Sequence, residues 1–249
     1  MSDRIRIDLL LVDRGIFDSR AAARASVDAG LVFADGRQIT KASVMVSPSA
    51  DIMAEPAHPF VSRGGLKLSH ALDRFNVNPT GWRCVDLGAS TGGFTDVLLK
   101  RGAVFITAVD VGRDQLHTSL RKSEQVLVRE ETDIRKLTAQ DIGPDVRLLV
   151  ADLSFISLVK ALHQALNLVG QGCHLVALFK PQFEVGRKAV GKGGVVKDAG
   201  AVNTARLAFE TWLTEIGWTS PVWTESPIKG ANGNQEYLLH SRKGLPTAS

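Results

Sequence analysis

Arg83-Cys84-Val85-Asp86-Leu87-Gly88-Ala89-Ser90-Thr91-Gly92-Gly93-Phe94-Thr95-Asp96 reads as a buried strand that runs into a glycine-rich turn and then a helix. The apolar run is short and bounded by turn residues, as in a strand covered on both faces. The glycines let the backbone turn sharply and approach a ligand closely. Downstream the chain keeps this rhythm. Strands are expected at Val104–Val109, Val126–Val128, Leu148–Ala151 and Cys173–Phe179, with helical segments between them. A helix over Val202–Ile216 and two strands near Val222 and Tyr237 follow. Alternating strands and helices predict an α/β, doubly wound, mostly parallel sheet with helices on both faces.

Upstream lies a different piece. Ile7, Leu10 and Leu11 share a helical face that Gly15 stops. Asp18-Ser19 offers an N-cap for a helix over Arg20–Ala29, closed by Gly30. Asp35-Gly36 joins Leu31–Ala34 to Gln38–Thr40, and Ser43–Val46 alternates again, which predicts a β-hairpin. Glu55-Pro56-Ala57-His58-Pro59 then breaks the pattern. The expected domains are therefore a small α+β unit over 1–55, a linker over 56–60 and the large domain over 61–245.

Composition is that of an ordinary globular protein: 249 residues, 44% hydrophobic, 22% charged, net charge +4. The mild basic excess permits a polyanionic partner without demanding one. Cys84 and Cys173 match no metal site or disulfide framework and read as reduced core thiols, so no metal is expected. The first six residues lack the apolar core of a signal peptide. No apolar run approaches the ~20 residues that span a bilayer. The cytoplasm is the expected location.

The turn admits three readings. Gly-x-Ser-x-Gly-Gly departs from the dinucleotide pattern Gly-x-Gly-x-x-Gly, against a pyrophosphate cradle. Gly88 to Gly92 also fits a hydrolase nucleophile elbow, with His240 as a base, but the turn follows the first strand of the sheet and no oxyanion segment precedes it. Asp86 and Asp110 favour adenosylmethionine. A carboxylate at Asp86 suits the cofactor's ammonium and sulfonium, and Asp110, closing the second strand, faces ribose hydroxyls. Four further polar residues stand where a core does not want them: Lys67 at the start of the large domain, Asp152 and Lys180 at strand ends, and Glu236 at the head of the last strand. Ligands of open parallel sheets bind beyond the strands' carboxyl ends, so Asp152 and Lys180 should share the cofactor's crevice.

With these motifs in hand, the chain resembles the TlyA family, an S-four RNA-binding domain fused to an FtsJ-like ribose methyltransferase. The likeness runs from about Ile5 to Leu239. It rests on Arg6-Ile7-Asp8, Asp18-Ser19-Arg20, Val61 to Leu68, Asp86 to Asp96, Val109-Asp110-Val111-Gly112, Asp152-Leu153-Ser154-Phe155, Phe179 to Glu184 and Asn234-Gln235-Glu236. The resemblance implies a seven-stranded Rossmann-like methyltransferase sheet and S-adenosylmethionine as cofactor. It implies Lys67, Asp152, Lys180 and Glu236 as a catalytic tetrad with Lys180 as base. It places Asp86, Gly88, Ser90, Gly92, Gly93, Phe94, Asp110 and Asp133 around the cofactor. The expected RNA contacts are Arg6, Lys41 and Arg63, with Arg20 and Arg24, which share one helical face that reads equally as a solvated face with Asp28, and Arg187 and Lys188 in a glycine-rich basic loop that follows the Lys180 strand and otherwise reads as plain surface. This chain carries Arg113-Asp114 where members often have an aromatic-Gly pair, and Asp133 where Asn is common. The implied substrate is ribosomal RNA or a ribosomal subunit, with no membrane and no obligate protein partner. Two rivals stand beside this reading. One is the membrane-active haemolysin linked with the family, which would need a span or a basic amphipathic helix. The other is an inactive RNA-binding relic, against which an intact tetrad argues.

Overall fold

The computed structural model describes residues 4–230 and 232–244, so the ends of the expected spans, 1–3 and 245, lie outside the described residues. The chain divides into two compact units after Pro59.

The first unit runs β1 (Ile5–Arg6), α1 (Ile7–Asp13), α2 (Arg20–Asp28), β2 (Val32–Ala34), β3 (Arg37–Gln38), β4 (Met45–Val46) and β5 (Ile52–Ala54). The Ser19 hydroxyl accepts the Ala22 N–H at 3.2 Å and starts α2. Asp35 and Gly36 both take positive φ, 50° and 73°, and turn β2 into β3. The remaining strands depart from the sequence reading. The Ser43–Val46 segment does not extend the hairpin: its strand β4 pairs with β1, Ile5 opposite Val46. β5 joins β2, giving a three-stranded order β3-β2-β5. Strands of two or three residues are too short to show alternation in sequence. Ile7, Leu10, Leu11, Val27 and Val32 form the unit's core.

The second unit runs α3 (Gly64–Arg74), β6 (Arg83–Leu87), α4 (Gly93–Lys100), β7 (Phe105–Val109), α5 (Thr118–Arg121), β8 (Val126–Arg129), α6 (Ala139–Ile142), β9 (Val146–Ala151), α7 (Leu158–Leu168), β10 (His174–Phe179), α8 (Pro181–Glu184), α9 (Ala199–Glu215), β11 (Val222–Glu225) and β12 (Tyr237–Arg242). Its seven strands are ordered β11-β12-β10-β9-β6-β7-β8. The five from β8 to β10 are parallel, and β12 is antiparallel to both its neighbours. Strand alternation divides the core in two. In β10, Leu175, Ala177 and Phe179 join α7 and α9 through Leu162, Leu166, Phe209 and Leu213. Val176 and Leu178 join α3 and α4 on the opposite face through Leu68, Leu72, Val97 and Leu98. Each such buried leucine stabilises the sheet by roughly 1.5–3 kcal/mol. This packing fixes α3, and with it Lys67, against the sheet.

Candidate active site

Gly88 has φ +83°, and a Cβ there would meet the main-chain oxygen of Asp152 at 2.7 Å. At Gly93 a Cβ would overlap Ser62 Oγ and reach the Gly65 nitrogen at 3.0 Å. So these glycines first let protein pack on protein. The turn is pressed against the end of β9 on one side and the start of α3 on the other. That adds a reason, beyond approach to a ligand, for the glycine run. The Asp152 N–H completes the join by donating to Leu87 O at 3.1 Å.

The four tetrad residues form two ion pairs. Lys67 Nζ donates to Glu236 Oε2 at 2.6 Å. Lys180 Nζ lies 2.6 Å from Asp152 Oδ1, and it donates a hydrogen bond to Ser154 Oγ at 2.9 Å. The two pairs leave adjacent strand ends, because Phe179 on β10 is registered with Tyr237 on β12. Burying charge is costly unless it is paired, so each lysine here is held by its carboxylate. Among the four side chains Asp152 is the most open, at 23% exposed.

The expected cofactor residues divide. Asp110 Oδ2 accepts the Ser90 N–H at 2.8 Å and its Oδ1 accepts the Gly112 N–H at 2.7 Å. Ser90 and Asp110 line a shallow depression together with Ala89, Ala108, Leu116, Val128 and Glu130. Phe94 instead packs in the core against α3 and α4. Gly92 accommodates Leu116 and Leu120. Asp133 caps the turn at Ile134–Lys136 and binds the Arg135 guanidinium at 2.7 Å, which pulls its carboxyl down to about 2. Glu130 went unread in the sequence. It accepts the N–H groups of Asp114, Gln115 and Leu116 and pairs with Arg121, fixing the loop beside Asp110. Its carboxyl lies at about 2, chiefly through Arg121.

Asp86 is fully buried on β6. Its Oδ2 accepts the Thr95 hydroxyl at 2.7 Å, and its Oδ1 has no partner. Burial pushes this carboxyl up to about 7, against the Thr95 hydrogen bond. An orphaned buried oxygen beside a glycine turn, with an acid at the next strand end, fits a cationic nucleoside cofactor. The protonation has a stability consequence. An unfolded aspartate ionises near 4. Between pH 4 and about 7 the fold therefore holds a proton that the unfolded chain releases, and stability falls as pH rises through that window. Asp86→Asn is expected to melt like the wild type near pH 4 and progressively above it towards pH 8. A constant difference across that range would remove Asp86 as the titrating group.

Two further residues escaped the sequence. Phe155 is 91% exposed with φ +65° and stands beside Phe183, ring centroids 5.2 Å apart. Asn234 is buried; its side chain accepts the Val196 N–H at 2.9 Å and donates to Gly194 O at 2.8 Å. That carboxamide ties the glycine-rich basic loop to the strand entry carrying Glu236. The loop's Arg187 and Lys188 are exposed, as are Arg63 before α3, and Arg24 and Lys41 in the first unit. The elbow reading loses its base. His240 sits mid-strand, bonded to His174 at 2.9 Å and stacked on Phe75, three strands away from the Ser90 turn. Ser90 Oγ donates to Gln115 instead, at 3.2 Å. No helix among the described residues is long and apolar enough to cross a membrane.

Sheet order, glycine turn and paired lysines define a Rossmann-like methyltransferase. A solved S-adenosylmethionine-dependent methyltransferase from Mesorhizobium loti shares the fold, with TM-score 0.52 over 70% of this chain and 96% of that one, at 15% identity. Residues 60–243 match the FtsJ-like methyltransferase family and residues 5–52 the S4 domain. The chain is 44% identical over 244 residues to the 16S/23S rRNA (cytidine-2′-O)-methyltransferase TlyA of Mycobacterium tuberculosis, covering 97% of this chain and 91% of that protein. A solved structure described as a candidate hemolysin from Streptococcus thermophilus aligns with TM-score 0.77 and 34% identity, covering 99% of this chain and 91% of that one. The chain belongs to the TlyA family of FtsJ-like methyltransferases.

Proposed function

We propose that this chain methylates ribosomal RNA on a ribose 2′-hydroxyl, with S-adenosylmethionine as donor and cytidine as the target nucleotide. The observation that carries the reading is the pair of lysine–carboxylate contacts on adjacent strand ends beside the Gly88–Gly93 turn. A ribose hydroxyl is a poor nucleophile until its proton is removed or polarised. Asp86 would face the cofactor's amino acid end and Asp110 its ribose. When bound, the cofactor supplies an electrophilic methyl group that needs no further activation. The chain's own work is to orient the hydroxyl and take its proton. Lys180 is the base in this reading, accepting the hydroxyl proton as the free amine once its ammonium proton has passed to solvent, and Asp152 and Ser154 fix its position. Lys67 and Glu236 hold the ribose from the neighbouring strand end. Phe155 and Phe183 offer apolar faces on which a base can stack. Arg187 and Lys188, on the loop that Asn234 secures, meet phosphates. The first unit adds rRNA affinity through Arg6, Arg20, Arg24 and Lys41. The reading takes the enzyme as cytoplasmic, where ribosomal RNA is found, and calls for no obligate protein partner.

The test is transfer from methyl-labelled S-adenosylmethionine to rRNA, followed by digestion to nucleosides. Label is expected in a 2′-O-methylnucleoside, and Asp110→Ala is expected to weaken cofactor binding in calorimetry. Label recovered on a base, or binding of NAD in place of S-adenosylmethionine, overturns the reading.

A further inference from the structure

The first unit contains a fully buried carboxylate. Asp8 has no exposed surface, yet it meets two arginines. Arg6 grips it with two parallel hydrogen bonds, Nε to Oδ1 at 2.9 Å and Nη2 to Oδ2 at 3.0 Å. Arg20, twelve residues on, donates from Nη2 to the same Oδ2 at 2.9 Å. The main chain extends the cluster. The Asp8 N–H bonds Ala42 O at 3.3 Å and the Ile7 N–H bonds Val44 O at 2.9 Å, closing the turn that begins at Lys41. So Arg6 at the end of β1 and Arg20 at the start of α2 are both held by one carboxylate, whose main chain is tied to the turn at Lys41–Val44.

An arginine carries five donors in a planar fork. Asp8 uses two from Arg6 and one from Arg20, while the guanidinium side chains stay 37% and 52% exposed. The donors left over face solvent with a fixed orientation. Both cations that satisfy this buried carboxylate therefore stay open to water on their far side. We propose that Asp8 is a positioning residue: it presents Arg6 and Arg20 as a preorganised clamp for a phosphate of the RNA backbone. The clamp rests on the rRNA reading above and deepens it, since it names the contact by which the first unit holds its substrate. Preorganised arginines lose little conformational freedom on binding, which is what free surface cations forfeit.

The proposal makes a prediction opposite in sign to simple charge. Asp8→Asn removes a negative charge from a basic surface, so diffuse attraction would tighten RNA binding. Loss of the clamp weakens it. With full-length protein and purified rRNA, Asp8→Asn is expected to bind about 10-fold more weakly and to flatten the salt dependence by about one phosphate contact. Arg6→Lys and Arg20→Lys keep the charge but lose the fork, and each is expected to cost about 3- to 10-fold. Those losses shrink when Asp8 is already Asn. Thermal melting runs alongside. A merely structural Asp8 would lower the melting temperature yet leave the salt slope and both lysine swaps at wild-type affinity, and that result overturns the proposal. Tighter binding by Asp8→Asn overturns it too. Should Asp8→Asn fail to fold, the two lysine variants decide alone. If the wild type methylates no rRNA, the functional reading fails. If it methylates normally while these variants bind unchanged, only the clamp fails.

Discussion

Lys180→Ala is expected to lower single-turnover methyl transfer by about 10²–10⁴-fold, the usual cost of losing a general base. The argument is geometric. The Lys180 amine has two side-chain partners, Asp152 at 2.6 Å and Ser154 at 2.9 Å, and all three leave the carboxyl edge of the sheet beside the Gly88–Gly93 turn. Alanine leaves Asp152 without its cation. That carboxylate is partly open to water, so folding and cofactor affinity should change little. Lys180→Arg should fail almost as badly, because guanidinium stays protonated and cannot accept a proton. A structural lysine behaves the opposite way: arginine substitutes well and alanine costs stability. Near-wild-type turnover for Lys180→Ala, with melting measured on the same samples, would take the residue out of the mechanism.

Phe155→Gly should separate stability from activity. A bulky residue at φ +65° costs about 1–2 kcal/mol, and nothing buried repays it, since the ring is 91% exposed. Glycine relieves that strain, and the melting temperature is expected to rise by about 2–4 °C. The same change removes an aromatic face next to Ser154, the hydroxyl that holds Lys180. Base stacking is worth about 1–3 kcal/mol per base, so kcat/KM on rRNA should fall about 5- to 150-fold. Equal turnover by the variant would mean that the exposed ring touches no substrate. A lower melting temperature would mean that its contact with Phe183 outweighs the strain.

The second unit was legible because its strands are continuous apolar runs, and Asp152, Lys180 and Glu236 interrupt that pattern at strand ends. Lys67 was visible only as a charge at the start of the large domain, and the resemblance grouped it with the other three. Pairing was not legible: nothing in the sequence joins Lys67 to Glu236, which lie 169 positions apart. Glu130 and Asn234 were missed because their work is hydrogen bonding to main chain, which leaves no compositional mark. Phe155 looks like one more apolar residue until its exposure and φ are known. In the first unit the Asp35-Gly36 turn was readable, but β1 and β5 were too short to announce themselves. Asp8 stood in view inside Arg6-Ile7-Asp8, yet its burial depends on strands closing around it.

The sheet order also sets a timetable for birth. Ribosomes deliver the chain from its N-terminus, and Lys180 can meet Asp152 as soon as β10 lies against β9. β11 emerges next but has no neighbour, because among the described residues its strand partner is β12 alone. β12 arrives last and must enter between β11 and β10, bringing Glu236 to Lys67. A nascent chain therefore carries half of its ion-pair set and an unfinished sheet until its final strand is in place. Joining of the second lysine–carboxylate pair and completion of the fold are one event.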